Sequence, residues 1–136
     1  MSSWDIHEWD WRVHRSAVFG SNDNRSARAL IKPKAHIRQY GSIQSRQLPH
    51  FQRAIISVDV QYAKPKRDHD AGNLYPTMKA YVDGLSNPDL FDRHNPAKGI
   101  LPDDNDNYLI GPLIRWSGEP AVDEFYTFHI KLMGLK

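Results

Sequence analysis

The 136-residue chain has no cysteine, so a disulfide framework and a thiolate zinc site are both excluded, and a reducing cytoplasm fits its composition. It also lacks a long apolar run. Its opening stretch, MSSWDIHEWDWRV, scatters acids among tryptophans, so it reads as part of the fold rather than as a signal peptide or membrane span, and no membrane partner is expected. There is no phosphate-binding glycine loop and no Gly-x-Ser-x-Gly nucleophile turn. The seven histidines have no paired zinc spacing. A calcium loop beginning at Asp103 fails as well, because Tyr108 stands where glycine is needed and Ile114 where a carboxylate is needed.

Acids are nearly missing from one long block. Between Asn24 and Arg67 lie Arg25, Arg28, Lys32, Lys34, Arg38, Arg46, Arg53, Lys64, Lys66 and Arg67 against Asp59, ten cations to one acid and a net +9. From Asp68 to Glu124 eleven acids face four cations, a net −7. The overall +2 conceals this division. A block this basic repels itself unless acids fold against it or a polyanion covers it, and nucleic acid is the usual polyanion.

A chain of this length, 40% apolar and 11% aromatic, predicts one domain over residues 1–136. Trp9, Trp11 and Val13 alternate with polar residues as in a half-buried strand. After the turn residues GSNDN, a helix is expected from Arg25, broken or kinked at Pro33, with a second piece ending near Tyr40 at a Gly41 stop. Leu30, Ile31, Ile37 and Tyr40 would face the core, and residues 42–52 would form a polar connection. Ala54–Ala63 is the clearest strand, with Ile56, Val58, Val60 and Tyr62 on one side. A helix capped by Asn73 follows, with Leu74, Met78, Tyr81, Val82 and Leu85 on one face and Gly84 near its end. Residues 86–99 read as a loop. Tyr108–Trp116 reads as a strand whose Gly111-Pro112 implies an edge or a bulge, and Phe125–Leu132 as the last strand. The expected fold is α/β or α+β, with a small mixed sheet of about four strands and two helical regions.

The chemistry gathers around KPKRDHDAGNLYPTMKAYVDGL, where a strand hands over to a helix and Asp68 and Asp70 occupy the turn. Asp103, Asp104 and Asp106 form a second cluster downstream. Two carboxylates from separate elements can hold a magnesium ion that keeps several of its waters, the usual arrangement at phosphodiester-cleaving sites. Aspartates in turns also cap helices and solvate.

The succession HDAGNLYPTMKAYVDGL, a loop, then ILPDDNDNYLIGPLIRW resembles the RusA-like family of Holliday junction resolvases, especially its bacteriophage members. IISVDVQY with its basic exit KPKR, and SNDNRSARA, resemble it too, so the likeness spans residues 20–132. That resemblance implies a homodimeric endonuclease of DNA recombination and repair. It would bind four-way DNA junctions in the cytoplasm, of a bacterial host if phage-encoded, and nick them symmetrically using Mg2+ or Mn2+. Carried over, Asp70, Asp104 and Asp68 would be metal ligands and Asp103 a supporting carboxylate. Arg25, Arg28, Lys32, Lys64, Lys66, Arg67, Asn73 and Lys79 would contact nucleic acid. Two departures stand out. The family's Asp-x-Asp-Asn places its second aspartate at Gly72 here, so either Asp68 and Asp70 form the pair or the site has one carboxylate fewer. The helix lysine is displaced to Lys79, for which a pairing with Asp83 is the alternative role. A non-catalytic DNA-binding protein of the same fold is the second reading.

Overall fold

In the computed structural model, which describes residues 3–65, 70–86, 99–102 and 105–136, period-two alternation and apolar helical stripes fold into one sheet backed by two helices. The elements in chain order are β1 (Trp4–His14), α1 (Ile31–Ser45), β2 (Arg53–Gln61), α2 (Tyr75–Ser86), β3 (Leu109–Trp116) and β4 (Phe125–Leu135), with short 3-10 turns at Arg15–Ala17 and Ala71–Leu74. The sheet order is β1-β4-β2-β3. β4 is antiparallel to both its neighbours and β2 is parallel to β3, so the sheet is mixed as expected.

Register fixes which side chains share a face. Trp11, Val13, Ala54, Ile56, Val58, Val60, Phe128, Ile130 and Leu132 are buried on the helix side, where Leu74, Met78, Tyr81, Val82 and Leu85 meet them from the second helical region. The opposite face carries no layer among the described residues. There the register aligns Asp10, His129, Asp59 and Arg115 in one row, and Ile6, Met133, Ile55 and Ile110 in another. β3 is the edge strand, and its pairing with β2 slips between Ile55 and Ser57. Proline at 112 is tolerated for that reason. Gly111, at φ +109, occupies a backbone region that a side chain would disfavour.

Several local expectations need correction. Residues 27–30 form turns, closed by Leu30 N–H donating to the carbonyls of Ser26 and Ala27, and the helix begins at Ile31. Pro33 therefore lies in its first turn, where a missing amide costs nothing. Gly41 does not stop α1, which continues to Ser45. It is buried where α1 crosses α2, and a Cβ there would run into the Tyr81 carbonyl and come within 3.0 Å of Leu85 N. Gly84 is the reciprocal case: a Cβ would meet the Arg38 carbonyl, and α2 passes through it to Ser86. Two backbones this close leave no room for a methyl group on either side. Ile37 is fully buried as expected, but Ile31 and Tyr40 are 63% and 39% exposed. Once the helix starts at Ile31 as a single piece, they rotate away from α2. Most of the loop expected at 86–99 lies outside the described residues.

Candidate nucleic-acid and metal-ligand site

Asp70 ends an extended segment, and its side chain accepts a hydrogen bond from Gly72 N–H at 3.0 Å while its carbonyl accepts from Asn73 N–H at 2.9 Å. Asp70 is therefore the residue that caps the turn Ala71–Leu74, and the expected Asn73 cap is displaced by three residues. Ala71 and Leu74 are buried and pin the turn to the core, leaving Asp70 and Gly72 exposed. The carboxylate is held in place and open to solvent, with lone pairs to spare beyond its one backbone donor.

The segment after β1 locks onto this turn. Ser21 N–H donates to the Asn73 carbonyl at 2.8 Å. The fully buried Thr77 hydroxyl accepts from Phe19 N–H at 2.9 Å and donates to the Phe19 carbonyl at 2.6 Å. Residues 19–21 thus lead the basic block away from the start of α2. Sequence reasoning missed Phe19, Ser21 and Thr77, because nothing in their spacing announces a contact 58 residues apart.

The expected nucleic-acid contacts are placed unevenly. Lys64, Arg28 and Lys32 are exposed, with no ion pair among the described residues. Arg25 is gripped by Asp23, with its Nε 2.9 Å from Oδ1 and its terminal nitrogen 2.6 Å from Oδ2. Hydrogen bonds from the Arg25 side chain and backbone hold the Asp23 carboxyl down to about 2, so much of the Arg25 charge is answered locally. Lys79 pairs with Asp83 one turn along α2, its structural alternative. Asp68, Lys66, Arg67, Asp103 and Asp104 lie outside the described residues.

Asp70 and Asp106, the described members of the two acidic clusters, sit at opposite ends of the sheet. Asp70 follows the C-terminal end of β2, close enough to Tyr62 that its charge, after burial and Tyr126, helps raise the phenol's pKa. Asp106 precedes β3 at the other end, where Ala54 N–H donates to the Tyr108 carbonyl at 2.9 Å and Phe51 N–H to the Ile100 carbonyl at 2.7 Å. α2 spans the interval with twelve residues, about 18 Å. Among the described residues no three His, Asp or Glu side chains converge as metal ligands. Asp70 is a single exposed carboxylate there, fewer ligands than a hard cation takes from a protein cage.

Compared with known proteins, the sequence matches no family model and no curated protein. No helix among the described residues is long and apolar enough to cross a membrane.

Proposed function

We propose that the chain is a metal-dependent, structure-selective endonuclease that acts as a homodimer on four-way DNA junctions, in recombination or repair within a bacterial cytoplasm. The observation that carries this reading is the exposed Asp70 carboxylate, fixed at the strand-to-helix turn and tied through Asn73 and Ser21 to the segment that leads into the basic block. Asp70 would hold Mg2+ or Mn2+ together with Asp104 and Asp68, with Asp103 supporting them. Such an ion neutralises phosphate charge and lowers the pKa of its water. Lys64, Arg28 and Lys32 would hold flanking phosphates.

The homodimer belongs to this reading. Metal bonds of about 2.1 Å cannot join carboxylates a helix length apart, so an ion shared between Asp70 and the Asp106 end of the sheet would draw its ligands from two chains. The uncovered sheet face supports such pairing. Its row of Ile6, Met133, Ile55 and Ile110, with Trp4 and Leu113 beside it, leaves Trp4, Ile6, Ile110 and Leu113 between 45% and 56% exposed. Apolar area gathered in this way marks an interaction face.

The test is cleavage of a labelled synthetic four-way junction, with linear duplex as control, in magnesium, manganese and EDTA. Paired metal-dependent nicks confined to the junction are expected, and Asp70→Asn should abolish them while junction binding persists. Parental nicking by that variant would refute the assignment of Asp70. Gly72, where the family places a carboxylate, favours a second reading as a non-catalytic binder. That reading predicts salt-sensitive junction binding with no metal-dependent product.

A further inference from the structure

At the end of the sheet where Asp70 acts on Tyr62, a cavity of about 480 Å³ opens between the end of β1, the exit of β2 and the start of β4. His14, Arg15, Ser16, Lys64 and Tyr126 line it. Backbone bonds hold its walls together: Arg15 N–H donates to the Glu124 carbonyl at 2.9 Å and Lys64 N–H to the Asp123 carbonyl at 2.6 Å. His14 is fixed in one tautomer. Ser16 N–H donates to His14 Nδ1 at 3.1 Å, so in the neutral ring the proton sits on Nε2, which faces the Glu124 carboxylate at 3.2 Å.

The charge around this cavity is unbalanced. Arg15 and Lys64 are cations and His14 offers an N–H, while of the acids Asp123 and Glu124, Asp123 is already engaged by Arg12 at 2.5 Å and by Phe125 N–H at 2.9 Å. Glu124 remains as the anion that faces two lining residues, His14 and Arg15. It holds Arg15 loosely, at 3.9 Å, and is 62% exposed. A carboxylate that reaches an arginine only at 3.9 Å and stays in water is readily exchanged for a better anion. A phosphodiester offers more acceptor oxygens to the same donors and suits an arginine fork.

We infer that this cavity is a phosphodiester subsite for a nucleic-acid strand at the same end of the sheet as Asp70, with the Glu124 carboxylate as the resident anion that the strand displaces. It rests on the nucleic-acid reading above, and names Arg15, His14 and Glu124 as residues of that interface. Removing the Glu124 charge should tighten binding, because the strand no longer has to displace it. Removing the Arg15 charge should weaken binding and take about one unit from the salt slope.

The experiment is fluorescence anisotropy of the full chain with a labelled four-way junction and a labelled single strand, in EDTA so that cleavage plays no part. Glu119→Gln, the same charge change on the β3–β4 connection, is the control. Glu124→Gln should bind about three- to tenfold more tightly than Glu119→Gln, and Arg15→Ala about tenfold more weakly than the parent. If Glu124→Gln and Glu119→Gln behave alike, or Arg15→Ala binds as the parent does, the subsite is wrong while the endonuclease reading stands. If the parent binds neither probe, both fall. Release of the strand by millimolar inorganic phosphate at constant ionic strength would make the cavity a free-phosphate site and overturn the strand assignment.

Discussion

Replacing Gly41 by alanine sets two effects against each other. Alanine is the better helix former by about 1 kcal/mol, and α1 continues four residues past this position, so on propensity alone the variant would be more stable. Packing opposes this. The new methyl would overlap the Tyr81 carbonyl and lie 3.0 Å from Leu85 N. Both are backbone atoms of α2, which cannot rotate aside as a side chain would, so the helices must part by roughly 1 Å. Parting them loosens Ile37, Met78, Tyr81 and Leu85, each at most 2% exposed, and overpacking of this kind costs about 1–3 kcal/mol or more. The separation wins, with a net loss of about 2 kcal/mol.

Urea denaturation at fixed pH measures that loss as a lower midpoint at unchanged slope. For a chain of this size about 2 kcal/mol also lowers the melting temperature by roughly 6–10 °C. Gly84→Ala should cost a similar amount, and the double variant less than the two singles together, because a crossing already opened by one methyl admits the second. A Gly41→Ala variant as stable as the parent, or two losses that simply add, would refute the close crossing.

Thr77→Val keeps the shape of a fully buried side chain and removes both of its hydrogen bonds to Phe19. It should lower stability by about 2–4 kcal/mol in urea melts. Hydrogen bonds to Asp10 first and Glu8 second raise the pKa of His129 above its ordinary 6.5. Its stabilising contribution is therefore complete below pH about 6.5 and is lost as pH rises through the raised folded-state value. Urea midpoints of the parent should fall modestly along that rise, while those of His129→Gln should not, and parallel profiles would contradict the prediction. Gly72→Asp would put a Cβ 3.4 Å from Asp70 Oδ1 on a backbone without positive φ. The two adjacent carboxylates should bind Mn2+ at least about tenfold more tightly by calorimetry, and unchanged affinity would count against Asp70 as a ligand.

How much of this was legible in the sequence depends on the range of the interaction. Strands with one buried face announced themselves, because a period of two sorts Ile56, Val58, Val60 and Tyr62 to one side without knowledge of their partners. The Gly111-Pro112 pair implied an edge for an equally local reason, the amide that proline lacks, and the sheet order agrees. Gly41 misled because one residue type serves two purposes. Glycine ends helices where φ must turn positive and also permits close helix crossings, and the second use depends on a helix some forty residues away. The site divides in the same way. Asp70 was recognisable from its turn chemistry, whereas the grip of Thr77 on Phe19 and the cations around Glu124 arise from tertiary contacts.

The distance between the acidic clusters shows what spacing can mislead about. Asp70 and Asp106 lie 36 residues apart with a helix and a loop between them, which invites the picture of a chain folding back on itself. Parallel pairing of β2 with β3 removes that possibility. To enter β3 in the same direction as β2, the chain must return along α2 to the starting end of the sheet, so residues just before β3 lie a strand length from those just after β2. Under the proposed function, an ion held jointly by Asp70 and the Asp106 end of the sheet therefore needs a second chain. A monomeric variant would then lose metal-dependent cleavage while keeping its fold, so a single charge placed in the apolar row, Ile6→Asp, separates assembly from folding. Sedimentation should report one chain per particle, urea melts should stay cooperative, and junction nicking should vanish. Cleavage at the parental rate by a particle shown to be monomeric would rule out the shared site.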